Sequence, residues 1–278
     1  MKKTLGTIAA AALAAAALLV VAGGTQSSPG HPYLALGDSV TFGYITAAGF
    51  EYQNPDNFIG FPTYVGDALG MTPTNASCPG ETTAGFISTT GADNGCRPYK
   101  ANFPLHAGYQ GTQLAFATAF LNSHPNTKLV TVLLGANDGF ILQRNCANDP
   151  ACIAAGVPGL LATIGANLDT ILGDVDAAHF NGKIVVLNYY SLDYADAAGT
   201  ALTQALNQAI EGVAHAHGAI VADEFSAFRT ASTAAGGHTC AAGLLNASPQ
   251  NQFTCDVHPS QAGQQLLGRT VAAAYDNG

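Results

Sequence analysis

Four short segments of the chain carry the residue types that acyl transfer requires. Ser39 stands in Gly37-Asp38-Ser39, directly after an apolar run, and offers a nucleophilic hydroxyl from a tight turn. Far downstream, His258 offers a general base. Between them, Gly80 and Asn137 each follow an apolar or small-residue run and offer hydrogen-bond donors. A nucleophile, a base and donors for a developing oxyanion together make an acyl-transfer site.

Each of these residue types has a defined part in that chemistry. His258 would take the proton of Ser39 as the hydroxyl attacks an ester carbonyl. The negative charge then develops on the carbonyl oxygen. The N–H groups of Ser39 and Gly80 and the side-chain amide of Asn137 would stabilise it, each by about 3 kcal/mol. A glycine suits position 80, because a backbone N–H that approaches substrate closely tolerates no Cβ.

The four segments resemble the blocks of the SGNH (GDSL-type) hydrolases, whose name gives the catalytic Ser, Gly, Asn and His. Here those residues would be Ser39, Gly80, Asn137 and His258. The blocks occur in the family order, and the resemblance extends over residues 33–274. It implies a secreted serine esterase or lipase that hydrolyses carboxylic esters without a cofactor. It also implies a five-stranded parallel sheet.

The chain departs from the family pattern at the acid of the triad. The family places that acid three residues before the histidine, but Cys255 occupies this position and Asp256 stands only two residues before His258. Two interpretations remain open. Asp256 orients the imidazole through a bent loop, or a backbone carbonyl does so and Asp256 faces solvent. Asp223 and Glu224 are more distant candidates.

Apolar runs alternate with segments of helical period, a pattern typical of a parallel sheet covered by helices. The predicted fold class is α/β, a flavodoxin-like three-layer α/β/α arrangement in one domain over residues 25–278. The strands are expected at residues 33–36, 72–76, 129–134, 184–189 and 219–222. Ser39, Gly80 and Asn137 follow the first three strands, so they should meet at one sheet edge. His258 should follow a long loop over residues 231–255.

The first 24 residues are typical of a secretory signal peptide. Lys2 and Lys3 precede an Ala/Leu/Val run, and small residues end at Gly24. A membrane anchor is the alternative, since the run is close to spanning length. The alanine-rich composition indicates a bacterial source and cleavage near Gly24. No later segment is expected to span a bilayer, so we predict a secreted protein without stable membrane insertion.

Six cysteines in an exported chain indicate disulfides. Among fifteen pairings, short loop closure favours the sequential one, Cys78–Cys96, Cys146–Cys152 and Cys240–Cys255. Each pair would brace a segment that carries a candidate catalytic group. The spacing does not suit a metal site, because the chain has no Cys-x-x-Cys pair and no histidine at ligand spacing. Neither a metal nor a cofactor is expected.

Charge and composition limit the partners of the chain. The formal net charge is −9, and loss of the signal peptide with Lys2 and Lys3 would make it −11, which excludes electrostatic binding of nucleic acid. We expect a monomer that acts on small-molecule or lipid esters. A polysaccharide acetylesterase and a catalytically inactive glycan- or lipid-binding protein are the alternatives. The aromatics after the nucleophile would line an acyl cleft or pack an irregular loop; they are Phe42, Tyr44, Phe50, Tyr52, Phe58 and Phe61.

Overall fold

A computed structural model describes residues 30–278, apart from the side chains of residues 252 and 253. Five parallel strands form its central sheet in the order β2-β1-β3-β4-β5. This flavodoxin-like strand order confirms the predicted fold class. The strands are β1 (His31–Gly37), β2 (Met71–Asn75), β3 (Leu129–Leu133), β4 (Lys183–Leu187) and β5 (Ile220–Ala222); a separate antiparallel hairpin contains β6 (Leu245–Ser248) and β7 (Asn251–Pro259).

Ten α-helices accompany the strands in the described part of the chain. They are α1 (Ser39–Phe42), α2 (Phe61–Leu69), α3 (Thr83–Ile87), α4 (Cys96–Asn102), α5 (Gln113–Ser123), α6 (Ala136–Asn145), α7 (Pro150–Asp176), α8 (Ala197–Ala216), α9 (Glu224–Ser232) and α10 (Gln261–Asn277). The chain moves one way across the sheet from β1 to β2 and the other way from β2 to β5. Right-handed crossovers therefore place α2 on one face and α5, α7 and α8 on the other. In agreement, α2 packs against α10, while α7 packs against α5 and α8.

The middle strands are apolar because helices cover both of their faces. In β1, residues 33–36 have no exposed surface, and β3 is buried throughout. The one polar pair between these strands is satisfied, since the Tyr33 hydroxyl and the Thr131 hydroxyl lie 2.8 Å apart. By contrast, β2 lies at the edge of the sheet. Pro73 has no backbone N–H, and in an edge strand this lack costs no hydrogen bond between the inner strands.

The longest helix, α7, is more apolar than the sequence interpretation allowed. Its length and composition would suffice to cross a membrane, which contradicts the expectation that no segment after the signal peptide could do so. The most apolar window has a mean hydropathy of 1.6, and only 11% of its residues are buried. The C-terminal half joins the domain core through Ile164, Leu168, Ile171, Leu172 and Val175. Consequently α7 is anchored at one end and presents apolar surface at the other.

Residues 231–255 are not the long loop that was expected. Helix α9 extends to Ser232, a short 3-10 helix follows at Thr233–Ala235, and β6 and β7 form an antiparallel hairpin. His258 therefore lies on a strand. The sequence analysis did not predict the hairpin, because its strands are polar and pair in an irregular register. Neither an alternation of apolar and polar residues nor an apolar run marks them.

The six cysteines form the sequential disulfides Cys78–Cys96, Cys146–Cys152 and Cys240–Cys255. Their Cα atoms are 5.4–5.6 Å apart, the usual separation for bonded pairs. The predicted signal peptide at residues 1–24 lies outside the described residues, and the single domain over residues 25–278 stays a prediction.

Glu224, at the first position of α9, is a buried carboxyl group without a hydrogen-bond partner in the described chain. Burial raises the pKa of Glu224 well above its usual value, and this outweighs the lowering by the nearby Thr270 hydroxyl, which donates to the Leu266 carbonyl at 3.0 Å. The folded protein thus holds this proton more tightly than the unfolded chain. The contribution of Glu224 to the stability therefore falls as pH rises above the pKa of an unfolded glutamate.

We expect Glu224→Gln to raise the melting temperature at pH 8 more than at pH 5, because glutamine removes the ionisable group without emptying the site. A change of about 1 kcal/mol in the free energy of unfolding would shift the melting temperature by about 2–4 °C in a domain of this size. Calorimetry at the two pH values measures it. Asp276→Asn, which removes one exposed carboxylate, is the control. Equal shifts at both pH values would contradict the assignment.

Candidate active site

The turn after β1 presents Ser39 at the start of α1. The Asp38 side chain caps this helix by accepting a hydrogen bond from the Val40 N–H at 2.9 Å. Gly37 ends the strand with a φ of +152°, and a Cβ there would lie 2.7 Å from the Leu133 carbonyl oxygen on β3. Only glycine fits this position. The turn can therefore stay close to β3 while Ser39 reaches the sheet edge.

Ser39, His258 and Asp256 form one hydrogen-bonded chain. His258 Nε2 lies 2.9 Å from Ser39 Oγ, and His258 Nδ1 lies 2.8 Å from Asp256 Oδ2. The side chains of His258 and Asp256 are only 12% and 13% exposed. Burial by itself would raise the pKa of Asp256, but hydrogen bonds from His258, Thr46 and the Val257 N–H lower it. The carboxylate is thus kept ionised beside the imidazole.

The two-residue spacing works because Asp256 and His258 lie on β7. Side chains two residues apart on a strand point to the same face. Between the pairs Leu245–Pro259 and Ala247–Cys255, β7 advances four residues against two on β6, so the strand bulges where these two residues lie. Such bulges redirect side chains near active sites.

Three side chains contact Asp256, His258 or the backbone between them, and the sequence analysis named only Tyr44 among them, as one of the aromatics after the nucleophile. The Thr46 hydroxyl donates to Asp256 Oδ2 and lies 3.3 Å from His258 Nδ1. The ring of Tyr44 lies 5.0 Å from the imidazole, centroid to centroid, and the Tyr190 hydroxyl donates to the Val257 carbonyl at 2.8 Å. No local pattern marks Thr46 or Tyr190, because their positions follow from tertiary packing.

A chain of hydrogen bonds fixes the amide of Asn137, the second residue of α6. Arg144 donates to Asn94 Oδ1 at 2.7 Å, and Asn94 Nδ2 donates to Asn137 Oδ1 at 2.6 Å. The Asn137 amide nitrogen is thereby turned towards Asp38, whose Oδ2 is 3.5 Å away. Because that contact is long, the amide retains donor capacity for a substrate oxygen. Asn94 and Arg144 were not predicted.

Gly80 lies in the turn after β2, with a φ of +83°. A Cβ at this position would lie 2.8 Å from the Asn94 carbonyl oxygen, so the turn also requires glycine. The Asn94 N–H donates to the Gly80 carbonyl at 3.2 Å, and the Cys78 N–H donates to the Gly37 carbonyl at 3.1 Å. Gly80 is therefore tied both to Asn137, through Asn94, and to the Ser39 turn, although it does not line the cavity beside Ser39.

The side chain of Gln113, the first residue of α5, forms hydrogen bonds with both the N–H and the carbonyl of Gly37. Its Oε1 accepts from the Gly37 N–H at 2.7 Å, and its Nε2 donates to the Gly37 carbonyl at 3.0 Å and to Glu81 at 3.3 Å. Burial raises the pKa of Glu81 to about 7. This network joins the nucleophile turn to the residue after Gly80, and neither member was predicted.

Asp38 and Asp138 are carboxylates that brace the surrounding loops by accepting hydrogen bonds. Besides capping α1, Asp38 accepts a hydrogen bond from the Tyr189 hydroxyl at 2.7 Å, and burial raises its pKa to about 6. Asp138 accepts from the N–H and hydroxyl of Thr83. The distant candidates for the triad acid lie elsewhere: Asp223 caps α9, and Glu224 is buried at the start of that helix.

A cavity of about 310 Å³ opens beside Ser39, Asn137 and His258. Its walls come from α6, α7, α8 and the segment after β4. The aromatic cluster that follows the nucleophile does not line it: Phe42, Phe58 and Phe61 are buried in the core, and Phe50 is 79% exposed. The interpretation of these aromatics as an acyl cleft is therefore wrong, and packing accounts for the buried ones.

One cluster of potential metal ligands occurs within residues 30–278. Cys78, Glu81 and Cys96 offer atoms within 4.8 Å of one another. The two sulfurs are bonded to each other, so neither is a thiolate able to bind a metal ion. The cluster does not suit a cation.

Comparison with known proteins agrees with this geometry. A model of the GDSL-like lipase/acylhydrolase family matches residues 35–266, so the chain belongs to this family of ester-hydrolysing enzymes. No curated protein sequence matches the chain significantly.

Solved structures share the fold. Phospholipase A1 from Streptomyces albidoflavus NA297 superposes with a TM-score of 0.57 at 21% identity, covering 88% of this chain and 99% of that one. LAE5, an alpha/beta hydrolase from the metagenome of Lake Arreo, gives 0.57 at 17%, with 90% and 97% covered. The acetylxylan esterase Axe2 from Geobacillus stearothermophilus gives 0.54 at 17%, with 89% and 94% covered.

Removing the side chain of Asn94 tests the orientation of Asn137. We expect Asn94→Ala to lower kcat by about tenfold, because the Asn137 amide loses its anchor while the Asn94 N–H still bonds Gly80. Steady-state kinetics on a p-nitrophenyl ester measures the loss. Asn102→Ala is the control, since within residues 30–278 the Asn102 amide bonds only the Pro98 carbonyl on the exposed side of α4. Equal rates in both variants would rule out this role for Asn94.

Proposed function

We propose that this chain is a secreted serine hydrolase that cleaves carboxylic esters through an acyl-enzyme on Ser39. The observation that carries the proposal is the hydrogen-bonded chain from Ser39 through His258 to Asp256, at the carboxyl edge of the sheet. Nucleophile, base and orienting acid lie in the arrangement that acyl transfer uses on unrelated folds.

Acylation begins when Ser39 Oγ attacks the ester carbonyl and its proton passes to His258 Nε2, 2.9 Å away. The carbonyl π electrons move to the oxygen. The Ser39 N–H, the Gly80 N–H and the Asn137 amide are the proposed donors to this oxyanion. When the intermediate collapses, the bond to the alcohol breaks and His258 gives its proton to the departing oxygen.

Deacylation repeats the same steps with water. His258 takes a proton from a water molecule, whose oxygen attacks the acyl carbon, and the bond to Ser39 Oγ breaks as His258 returns the proton to it. The products are a carboxylic acid and the free serine. Neither half requires a metal or a cofactor.

Asp256 is proposed to orient His258 rather than to exchange protons. Its lowered pKa keeps it ionised, so it holds the Nδ1 proton and stabilises the imidazolium that forms in each transition state. Thr46 and the Val257 N–H satisfy its remaining acceptor positions. This arrangement favours Asp256 over a backbone carbonyl as the orienting group.

Secretion is supported by two independent features. The three disulfides are the kind of crosslink that persists in oxidising compartments outside the cytosol. The composition of residues 1–24 is that of a bacterial signal peptide. Disulfides in the protein recovered from the culture medium, with an N-terminus near position 25, would establish export.

Replacing the nucleophile tests the proposed function directly. We expect Ser39→Ala to reduce ester turnover by at least about a thousandfold, because only oxyanion donors and binding remain. The melting temperature should change little, since the hydroxyl bonds only His258 in the described chain. A fluorophosphonate probe should label the wild type at Ser39 and leave the variant unlabelled. Labelling of another serine would refute the assignment.

The role of Asp256 is tested by its removal. We expect Asp256→Ala to reduce kcat by about a hundredfold or more, because the imidazole loses the partner that fixes its tautomer. Stability should change far less. Asp169→Ala is a matched control: Asp169 lies 2.8 Å from His217 in an Asp–His pair between α7 and α8, away from Ser39. A loss below about tenfold in Asp256→Ala would favour orientation by the main chain.

A further inference from the structure

We propose that the cavity beside Ser39 is an acyl-chain groove, and that the preferred substrates are esters of medium- to long-chain fatty acids. This inference rests on the proposed function, because the chain it would hold must begin at an acyl carbon bonded to Ser39.

The inner end of the groove lies directly beside the candidate catalytic residues. Gly135 begins the turn that carries Asn137, and a Cβ on it would lie 3.3 Å from Leu206 and 3.5 Å from Ile164. Both of these residues line the cavity, together with Ser39 and His258. A group attached to Ser39 therefore meets aliphatic side chains at once.

From that end, the groove follows one face of α7 outwards. Ile164, Leu161, Leu160, Val157 and Ile153 line it with helical spacing. Ile153 and Ile164 are eleven positions apart, or about 16 Å along the helix axis at 1.5 Å per residue. An extended chain gains about 1.2 Å per bond, so roughly a dozen carbons would fit this length.

The α7 wall of the groove lacks charge along this length, and the carboxylates that line the cavity, Asp38, Asp193 and Asp196, lie on the turn after β1 and on the segment before α8. The segment of α7 from Pro150 to Leu168 contains no Asp, Glu, Lys or Arg, and Leu206 and Leu202 on α8 face it across the cavity. Transfer of each CH₂ group from water to such a lining is favourable. A fatty acyl chain gains from this surface, whereas an acetyl group would leave most of it empty.

The shape of the groove is held by covalent and close contacts. The Cys146–Cys152 disulfide joins the end of α6 to the start of α7, and Gly156 on α7 lies so close to α6 that a Cβ would approach Leu142 within van der Waals distance. At the rim, Leu192 and Leu202 remain 44% and 46% exposed, so an apolar surface continues from the cavity to the outside. An acyl chain longer than the groove could extend along this surface.

The groove is assigned to the acyl part of the ester rather than to the alcohol. The departing alcohol must receive a proton from His258, which is held on its other side by Tyr44 and Thr46. The groove instead leaves Ser39 past Gly135 and the α6–α7 wall. On this assignment, the acyl chain follows the α6–α7 wall, and the alcohol departs on the side of His258.

The test compares kcat/KM for p-nitrophenyl laurate and p-nitrophenyl acetate, both kept below their aggregation limits. Val157→Trp places an indole in the groove, while Ala155→Trp places one on the exposed opposite side of the same helix. We expect the wild type to favour laurate. In Val157→Trp the laurate-to-acetate ratio should fall by at least about tenfold, and in Ala155→Trp it should stay within about twofold of wild type.

A second pair of substrates separates the two halves of the ester. Ethyl laurate and dodecyl acetate contain the same atoms, so they differ only in where the long chain lies. Val157→Trp should lower kcat/KM for ethyl laurate more than for dodecyl acetate; the reverse order would overturn the assignment to the acyl chain. Thr203→Trp, on the α8 wall, replaces Val157→Trp if that variant does not melt cooperatively.

The remaining outcomes distinguish the groove from the proposed function. A wild type that hydrolyses acetate better than laurate, or a ratio that Val157→Trp leaves unchanged, overturns the groove and leaves the hydrolase intact. A wild type that cleaves no ester and takes no fluorophosphonate label at Ser39 overturns the proposed function itself.

Discussion

The carboxyl end of β1 is held by hydrogen bonds from separate parts of the chain, and the arrangement of the site depends on how firmly it is held. Gln113 bonds both the N–H and the carbonyl of Gly37, and the Cys78 N–H bonds the same carbonyl. Through these contacts the segments that carry Ser39 and Gly80 cannot move independently. A rigid peptide at this point lets a single short turn set the position of the nucleophile relative to donors that come from β2 and β3.

Burial and hydrogen bonding act in opposite directions on the carboxylates around this turn. Burial dominates at Asp38 and Glu81, whose pKa values rise to about 6 and about 7, because both side chains are almost completely removed from water. Hydrogen bonds dominate at Asp256, which lies near the surface and has a lowered pKa. The one carboxylate beside the imidazole is thus the one that remains most firmly ionised. Negative charge is therefore concentrated at Asp256, beside the imidazole that would become an imidazolium. It is reduced at Asp38 and Glu81.

The sequence was sufficient to predict the sheet, and it named Ser39, Gly80, Asn137 and His258, whose catalytic roles stay predictions. Buried parallel strands are continuous apolar runs, so β1 and β3 were recognisable, and Ser39 and Asn137 directly follow them. The polar strands of the β6–β7 hairpin carry no such signal. Thr46, Asn94 and Gln113 could not be found either, because a single hydroxyl or amide becomes a positioning group only through partners brought near by folding. The apolar character of α7 was visible in the sequence, but its place beside Ser39 depends on the packing of three helices.

Ser39 and His258 are separated by 219 positions, and His258 lies on a hairpin that a disulfide closes at Cys255. Contacts between such distant segments form late, because the entropy of closing a long loop must be overcome first. A chain that is still emerging from the ribosome holds Ser39 without His258, and a reduced chain lacks the crosslink between Cys240 and Cys255. Under the proposed mechanism, hydrolytic capacity would therefore arise only after the β6–β7 hairpin has been synthesised and has docked.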